Sequence, residues 1–183
     1  KEGSGNYSMR IDDDVLPHPD FIEKLIQVIN AGYDIASGLI PPLAMPEMKR
    51  EIRFLNREIN KVRINEQGDL IEFGDDCGMC YIEKEIIPAG HFRSCALYKS
   101  EINSKVKYQD NLSNYGVREE SFFSLKCRML GYKIGVHTGA ISYHIMTPSG
   151  GGRATANPES ISIDDDTFRK WIKNKYLSGE LKL

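Results

Sequence analysis

The chain has 183 residues, of which 40% are hydrophobic and 27% charged, and its formal net charge is -2. This composition is ordinary for one globular domain with its own core, and it argues against a general nucleic-acid binder, which would be strongly basic. The sequence contains no run of about 18 apolar residues, so no membrane-spanning helix is predicted.

The first elements alternate between extended and helical patterns. Residues 7–11 predict a strand that runs into three consecutive aspartates. Apolar residues then recur at helical spacing from Phe21 to Ile29, and Gly32 is typical of a helix end. Residues 34–40 predict a buried strand.

The second half of the chain continues this alternation. Two short extended runs around the Gly68 turn predict a hairpin over residues 62–73. The later predictions are a strand at 95–98, a helix at 117–130, two short strands at 132–137 and 140–144, and a last helix from Asp164 onward. Because strands and helices alternate without repeats, we predict the α/β class.

Four cysteines are too few for a disulfide framework in a chain of this size. Cys77 and Cys80 have the spacing of half a zinc site, but Cys95 and Cys127 are isolated and offer no second pair. We therefore expect reduced thiols and a cytoplasmic protein, for which a peripheral contact with a membrane stays open.

Asp12 and Asp14 are candidate metal ligands. Alternate residues of an extended segment point the same way, so these two carboxylates can converge while Asp13 points elsewhere. Two carboxylates suit Mg²⁺ or Mn²⁺ shared with a diphosphate. The alternative is a helix cap, for which Asp20 is better placed. The second triplet, residues 164–166, directly precedes a helical pattern, so we interpret it as a cap.

Glu119 and Glu120 fall in the first turn of the predicted helix 117–130. A carboxylate held there can act as a general base, although acids in a first turn also simply favour the helix dipole. His144 ends a predicted strand, and its imidazole can complete a site that already holds two carboxylates. A structural histidine is the alternative.

Residues 147–153 predict a loop, because three successive glycines hold neither a strand nor a helix. The backbone N–H groups of residues 149–153, that of Gly151 among them, and the guanidinium of Arg153 suit a phosphate group. A flexible connector would have the same composition.

Taken in order, these segments resemble the second half of a family 2 glycosyltransferase with the GT-A fold. The resemblance covers residues 7–153. The matching segments are Ile11-Asp12-Asp13-Asp14-Val15 with Pro17-His18-Pro19-Asp20-Phe21, Gly116-Val117-Arg118-Glu119-Glu120, Leu125-Lys126 with Leu130-Gly131-Tyr132-Lys133-Ile134, and Ala140-Ile141-Ser142-Tyr143-His144.

The resemblance implies metal-dependent, inverting transfer of a sugar from a nucleotide-diphosphate donor to the hydroxyl of a saccharide or another acceptor. It makes Asp12 and Asp14 the Asp-x-Asp motif and Glu120 the catalytic base. The implied assignment is Glu120 and Glu119 for catalysis, Asp12, Asp13, Gly151 and Arg153 for the donor, and Asp12, Asp14 and His144 for the metal.

The resemblance also divides the chain into a partial GT-A domain, residues 1–153, and a C-terminal loop and helix, residues 154–183. Within the first, the hairpin 62–73 would lie on the acceptor side and the helix 117–130 would be catalytic. The family's N-terminal nucleotide-binding strands have no counterpart here. We therefore expect a fragment or a reduced relative that is weakly active or inactive alone, and that associates through an exposed sheet edge.

Two positions depart from the family pattern. Phe122 stands where an acid is common, and Glu120 stands where the family more often has Asp. Phe122 and the missing N-terminal strands leave open a sugar-nucleotide or carbohydrate-binding module without turnover. A further alternative is a metal-dependent phosphoesterase that uses the same carboxylates.

Overall fold

The computed structural model describes residues 6–43, 58–74, 85–113, 116–145 and 158–182, and Cys77 and Cys80 lie outside these ranges. The strands are β1 (Tyr7–Arg10), β2 (Val15–Pro17), β3 (Ile35–Leu39), β4 (Val62–Ile64), β5 (Leu70–Phe73), β6 (Ile86–Pro88), β7 (Ala96–Lys99) and β8 (Ile134–His144). The helices are α1 (Phe21–Asn30), α2 (Glu101–Lys105), α3 (Glu119–Met129) and α4 (Pro158–Leu177).

The described strands form a mixed six-stranded sheet and a separate hairpin, β4-β5. The sheet order is β1-β7-β3-β8-β2, and β6 pairs with the first part of β8. β7 is antiparallel to both β1 and β3, whereas β3 and β8 are parallel. It follows that β1, β3 and β8 run in one direction and end at the same edge of the sheet. The predicted α/β class is confirmed.

Helices cover both faces of this sheet, as the alternation of side chains along β3 requires. Ile35 and Leu39 pack in one buried cluster with Phe123 of α3. Ala36 belongs to a second cluster with Phe21 of α1. α1 and α3 therefore lie on opposite sides of the sheet.

α3 is buried between the sheet and a third layer made by α4 and the hairpin. Its Phe122 and Leu125 pack with Phe168 and Ile172 of α4 and with Val62 of β4. α3 therefore carries apolar side chains on two sides, with Phe123 toward the sheet and Phe122 toward α4. This explains the phenylalanine at position 122, because an acid there would be buried among aromatic rings.

β8 differs from the two short strands predicted at 132–137 and 140–144. The sheet continues through the predicted break because Thr138 is tied to Glu85 on the neighbouring chain segment. The backbone N–H of Thr138 donates to the carbonyl of Glu85 over 2.9 Å, and its Oγ1 accepts from the N–H of Glu85 over 2.8 Å. β2 and α2 were not predicted from the sequence, because each is too short to show a period.

α4 begins at Pro158, so the prediction that residues 164–166 cap a helix is wrong. The helix includes this triplet, and proline suits the first helical position, where no N–H is needed. None of the helices in the described ranges, α4 included, is long and apolar enough to cross a bilayer.

Candidate functional site

The candidate site lies where β1, β3 and β8 end together. Asp12 follows β1 directly, and His144 is the last residue of β8. The first turn of α3 brings Glu119 and Glu120 to the end of β1. In α/β sheets the carboxyl ends of parallel strands are where ligands commonly bind, so this edge is the natural place to look for chemistry.

Arg10, the last residue of β1, is the centre of the site. Its Nη2 lies 3.2 Å from Oδ1 of Asp12, 2.5 Å from Oε1 of Glu119 and 3.2 Å from Oε1 of Glu120. One guanidinium nitrogen thus contacts three carboxylates from two distant parts of the sequence. The three acids outnumber the one base, which leaves an excess of negative charge at this point.

These acids determine the charge state of Arg10. Burial disfavours its charge, but the hydrogen bond with Glu119 and the charge of Glu120 outweigh burial, and together they hold the pKa of Arg10 above its usual value. Its Cζ also lies 4.9 Å from the ring centroid of Tyr108. Arg10 therefore stays charged and holds the acids together.

Glu119 and Glu120 differ in their exposure to solvent. The side chain of Glu119 is 34% exposed and that of Glu120 is 12% exposed. Burial raises the pKa of Glu120 above its usual value, although the charge of Arg10 opposes this shift. A buried carboxylate with a raised pKa is a stronger proton acceptor once ionised, which suits a general base.

Asp14 and His144 form a second pair beside this cluster. Oδ2 of Asp14 lies 2.8 Å from Nε2 of His144, across 130 residues of sequence. The backbone fixes the pair as well, because the N–H of Ile145 donates to the carbonyl of Asp14 over 2.7 Å. Val15 is paired with His144 in the sheet. The carboxylate and the imidazole are thus held facing each other by strand pairing.

The separation of the two side-chain atoms in this pair is close to that of two ligands of one divalent cation. Two ligand atoms of one cation stand about 3 Å apart when each bond is about 2.1 Å long. Within the described ranges, no group of three or more His, Cys, Asp or Glu side chains could hold a metal ion. Mg²⁺ and Mn²⁺ typically use one or two protein ligands and complete their shell with phosphate and water. An all-protein metal site does not fit these residues.

The acidic triplet itself is arranged differently from the expectation of a continued strand. Asp13 and Asp14 lie in a turn between β1 and β2, so the alternation of side chains does not extend through the triplet. Asp12 contacts Arg10, Asp14 contacts His144, and Asp13 is exposed. The structure brings Asp12 together with Glu119 and Glu120, and it pairs Asp14 with His144.

Two buried polar atoms at the centre of the site have no hydrogen-bond partner among the residues that the structure describes, the Nε of Arg10 and the phenolic oxygen of Tyr108. The ring of Tyr108 stacks on Phe123 with centroids 4.3 Å apart. Buried polar groups are nearly always satisfied in folded proteins. The Nε of Arg10 therefore offers a donor to a water molecule or a ligand group, and the phenolic oxygen of Tyr108 offers a donor or an acceptor.

Cys95 and Cys127 are not candidate nucleophiles. Both are buried free thiols. Burial raises the pKa of Cys95 to about 11 and that of Cys127 to about 12. The thiolate is the reactive form, so both thiols are inert at neutral pH.

Among the residues that we predicted from the sequence, Gly151 and Arg153 lie outside the described ranges. Arg10 was missed. A signal for it exists, since Arg10 and Asp12 are two positions apart at the end of a strand and can reach the same side. Basic residues are nevertheless common in surface strands. The role of Arg10 depends on the position of α3, which the local sequence pattern does not predict.

No protein-family model matches the sequence, and a search of curated proteins found no significant match. The residues and their arrangement therefore carry the functional argument alone.

Proposed function

We propose that this chain is the catalytic part of a glycosyltransferase, which moves a sugar from a nucleotide-diphosphate donor to an acceptor hydroxyl. The observation that supports it best is the convergence of Asp12 with Glu119 and Glu120 at Arg10. Residues more than 100 positions apart meet at the carboxyl edge of the sheet, beside an aspartate–histidine pair suited to a cation and a diphosphate.

Glu120 is the proposed general base. Its carboxylate is mostly buried, is held at a helix end, and is next to a permanent positive charge. An acceptor hydroxyl within hydrogen-bond reach would give its proton to this carboxylate as the oxygen attacks the anomeric carbon. The new glycosidic bond forms as the bond to the diphosphate breaks. The diphosphate leaves with the electron pair, and Glu120 keeps the proton.

Asp14 and His144 are the proposed ligands of the metal. When bound, Mg²⁺ or Mn²⁺ supplies positive charge that stabilises the departing diphosphate. Asp14 contributes a hard oxygen ligand and His144 a nitrogen, and strand pairing orients both before the donor arrives. The preference of such ions for oxygen ligands makes Asp14 the more important of the two.

Arg10 is the proposed organiser of the acidic residues. Without it, three carboxylates at this separation would repel one another and turn outward. With it, Asp12, Glu119 and Glu120 stay close to a single guanidinium nitrogen, so the proposed base is held at a fixed place beside the end of β1. Positioning of this kind is a large part of catalysis in transfer reactions.

The same proposal includes the GT-A assignment of the sheet, a cytoplasmic location and self-association through a sheet edge. β1 and β2 are two outer strands of the described sheet, and each carries an exposed apolar side chain, Tyr7 and Leu16. Unpaired strand edges of this kind favour pairing with another chain. Light scattering across a concentration series tests the self-association.

Product formation from a panel of nucleotide-diphosphate sugars with Mn²⁺ and saccharide acceptors tests the transferase directly. A transferase releases nucleoside diphosphate in step with acceptor consumption, and Glu120→Gln abolishes release while donor binding persists. Binding without any product would favour a non-catalytic module. Hydrolysis of simple phosphate esters without an acceptor would favour a phosphoesterase.

A further inference from the structure

Asp164 of α4 is a buried acid that the proposed reaction does not use. It is 1% exposed although it lies within a helix whose neighbouring positions reach the solvent. An acid is rarely buried to this extent unless its oxygens are well satisfied. The hydrogen bonds of Asp164 therefore indicate its structural role.

Both oxygens of Asp164 accept hydrogen bonds from the chain that leads into α3. Oδ1 accepts from the backbone N–H of Ser113 over 2.7 Å. Oδ2 accepts from the hydroxyl of Ser113 over 2.6 Å and from the backbone N–H of Val117 over 3.0 Å. Bonds to a charged acceptor are the stronger kind in proteins. Asp164 thus fixes the backbone just before the first turn of α3.

That backbone adopts an unfavourable conformation. Arg118 has a φ of 73°, and Gly116 has a φ of 56°. A left-handed residue other than glycine, such as Arg118, is strained and persists only where its surroundings impose it. Arg118 directly precedes Glu119 and Glu120, so its conformation determines where the two acids are placed.

The next residue of α4 reinforces the arrangement. Oδ1 of Asp165 lies 2.8 Å from Nε of Arg118, and the guanidinium of Arg118 lies 4.7 Å from the ring centroid of Phe73. Asp165 also binds Arg169 on its own helix over 2.7 Å. The side chain of the strained residue is therefore anchored between α4 and the hairpin.

We propose that Asp164 is a positioning residue, which holds the left-handed entry to α3 and thereby sets the place of Glu119 and Glu120 against Arg10. The role in catalysis rests on the proposed function, whereas the role in positioning does not. α4 is accordingly part of the site's support, although none of its residues contacts Arg10 within the described ranges.

Asp164→Asn tests this with little change in volume. An amide has only one acceptor oxygen, so one of the two backbone N–H groups, of Ser113 or of Val117, loses its partner whichever way the amide turns. Asp166→Asn is the matched control, because Asp166 is exposed on the same helix and the change in charge is identical. Ser113→Ala, which removes only the hydroxyl bond, is a milder second variant if Asp164→Asn folds poorly.

The first measurement does not depend on activity. Amide hydrogen exchange in the first turn of α3, at residues 119–122, should become faster by about tenfold or more in Asp164→Asn, since a bond to a charged group is lost. Exchange at residues 125–129 and throughout Asp166→Asn should be unchanged. Unchanged exchange at residues 119–122 in Asp164→Asn and in Ser113→Ala would overturn the inference.

The second measurement is the turnover of the donor. We expect kcat to fall on the order of tenfold to a hundredfold in Asp164→Asn with an unchanged donor Kd, because misplacement of a catalytic group by about 1 Å has such an effect. Faster exchange with unchanged kcat would overturn the role in catalysis. If no donor is turned over by the wild-type protein, either alone or in a longer chain that carries nucleotide-binding strands, the proposed function fails, and hydrogen exchange alone decides the positioning role.

Discussion

Nη2 of Arg10 lies 3.2 Å from Oε1 of Glu120, although 110 residues separate them in the sequence. This contact joins the end of β1 to the beginning of α3. The two segments together form one acidic cluster, which neither segment forms alone. It also gives Glu120 a charged neighbour that permits ionisation in a mostly buried position. The predictions below follow from this arrangement.

Removal of the guanidinium should destabilise the fold in a pH-dependent way. Arg10→Met leaves Asp12, Glu119 and Glu120 without their common partner, and breaking such a partly buried pair costs about 3–5 kcal/mol at neutral pH. The loss should shrink as the pH falls through the raised pKa of Glu120, because that carboxyl then takes up a proton and no longer needs a cationic partner. Chemical denaturation across pH measures it.

The matched control is Arg63→Met in the hairpin. Arg63 is exposed and lies 3.4 Å from Glu72, and an exposed pair contributes about 0–1 kcal/mol. An equal loss of stability in the two variants would contradict a central role for Arg10.

Glu120→Gln should be more stable than the wild type at neutral pH. The folded state raises the pKa of Glu120 above its usual value of 4.5 through burial. The ionised form therefore lowers stability at pH values above the folded pKa, and this loss disappears as the pH falls below 4.5. Thermal unfolding between pH 4 and pH 8 should show a gain in Tm that vanishes at the acidic end.

A gain that persists at low pH would point to packing rather than charge. Glu66→Gln in the exposed turn of the hairpin controls for the substitution itself, and its Tm should stay close to that of the wild type at every pH. Active sites often reduce stability in this way, because the side chain that the reaction requires is not the one that gives the most stable fold.

Asp14→Asn should abolish the metal-dependent part of donor binding. The substitution removes the charge from one of the two proposed ligands and keeps its shape. Isothermal titration of a nucleoside diphosphate with and without Mn²⁺ measures the effect, which should exceed that of His144→Gln. Retention of full Mn²⁺-dependent affinity in Asp14→Asn would remove the metal from this pair.

Phe122→Leu should lower stability without altering turnover. The ring of Phe122 packs edge-on against Phe168 and Trp171, with centroids 5.0 and 5.2 Å away. It is fully buried among them, and loss of such an aromatic contact costs about 0.5–1.5 kcal/mol beyond the area lost. A large fall in kcat with unchanged Tm would mean that position 122 takes part in the reaction.

Periodicity in the sequence predicted the elements that have one clear buried face. α1 shows this for helices, and the hairpin shows it for strands, because turn chemistry fixed its centre at Gly68. The same reasoning gave a wrong prediction for β8. Thr138 and Gly139 look like a turn locally, but hydrogen bonds with Glu85 keep the chain in the sheet.

For the acidic residues, too, some features could be predicted from the sequence and others could not. Position at a strand end and at a helix start was sufficient to select Asp12, Asp14, Glu120 and His144 as candidates. Their pairing was not predictable, since it depends on how α3 sits against β1. Asp164 was misinterpreted as a cap because the helix begins six residues earlier than the aspartate triplet suggests. Its true contacts are tertiary.

Paramagnetic broadening by Mn²⁺ tests the central claim most directly. With a nucleoside diphosphate present, substoichiometric Mn²⁺ should broaden the assigned NMR signals of the His144 ring and the amides of residues 13–15 before all others. Broadening that begins at the exposed acids of α4, such as Asp166, and spares His144 would contradict the account.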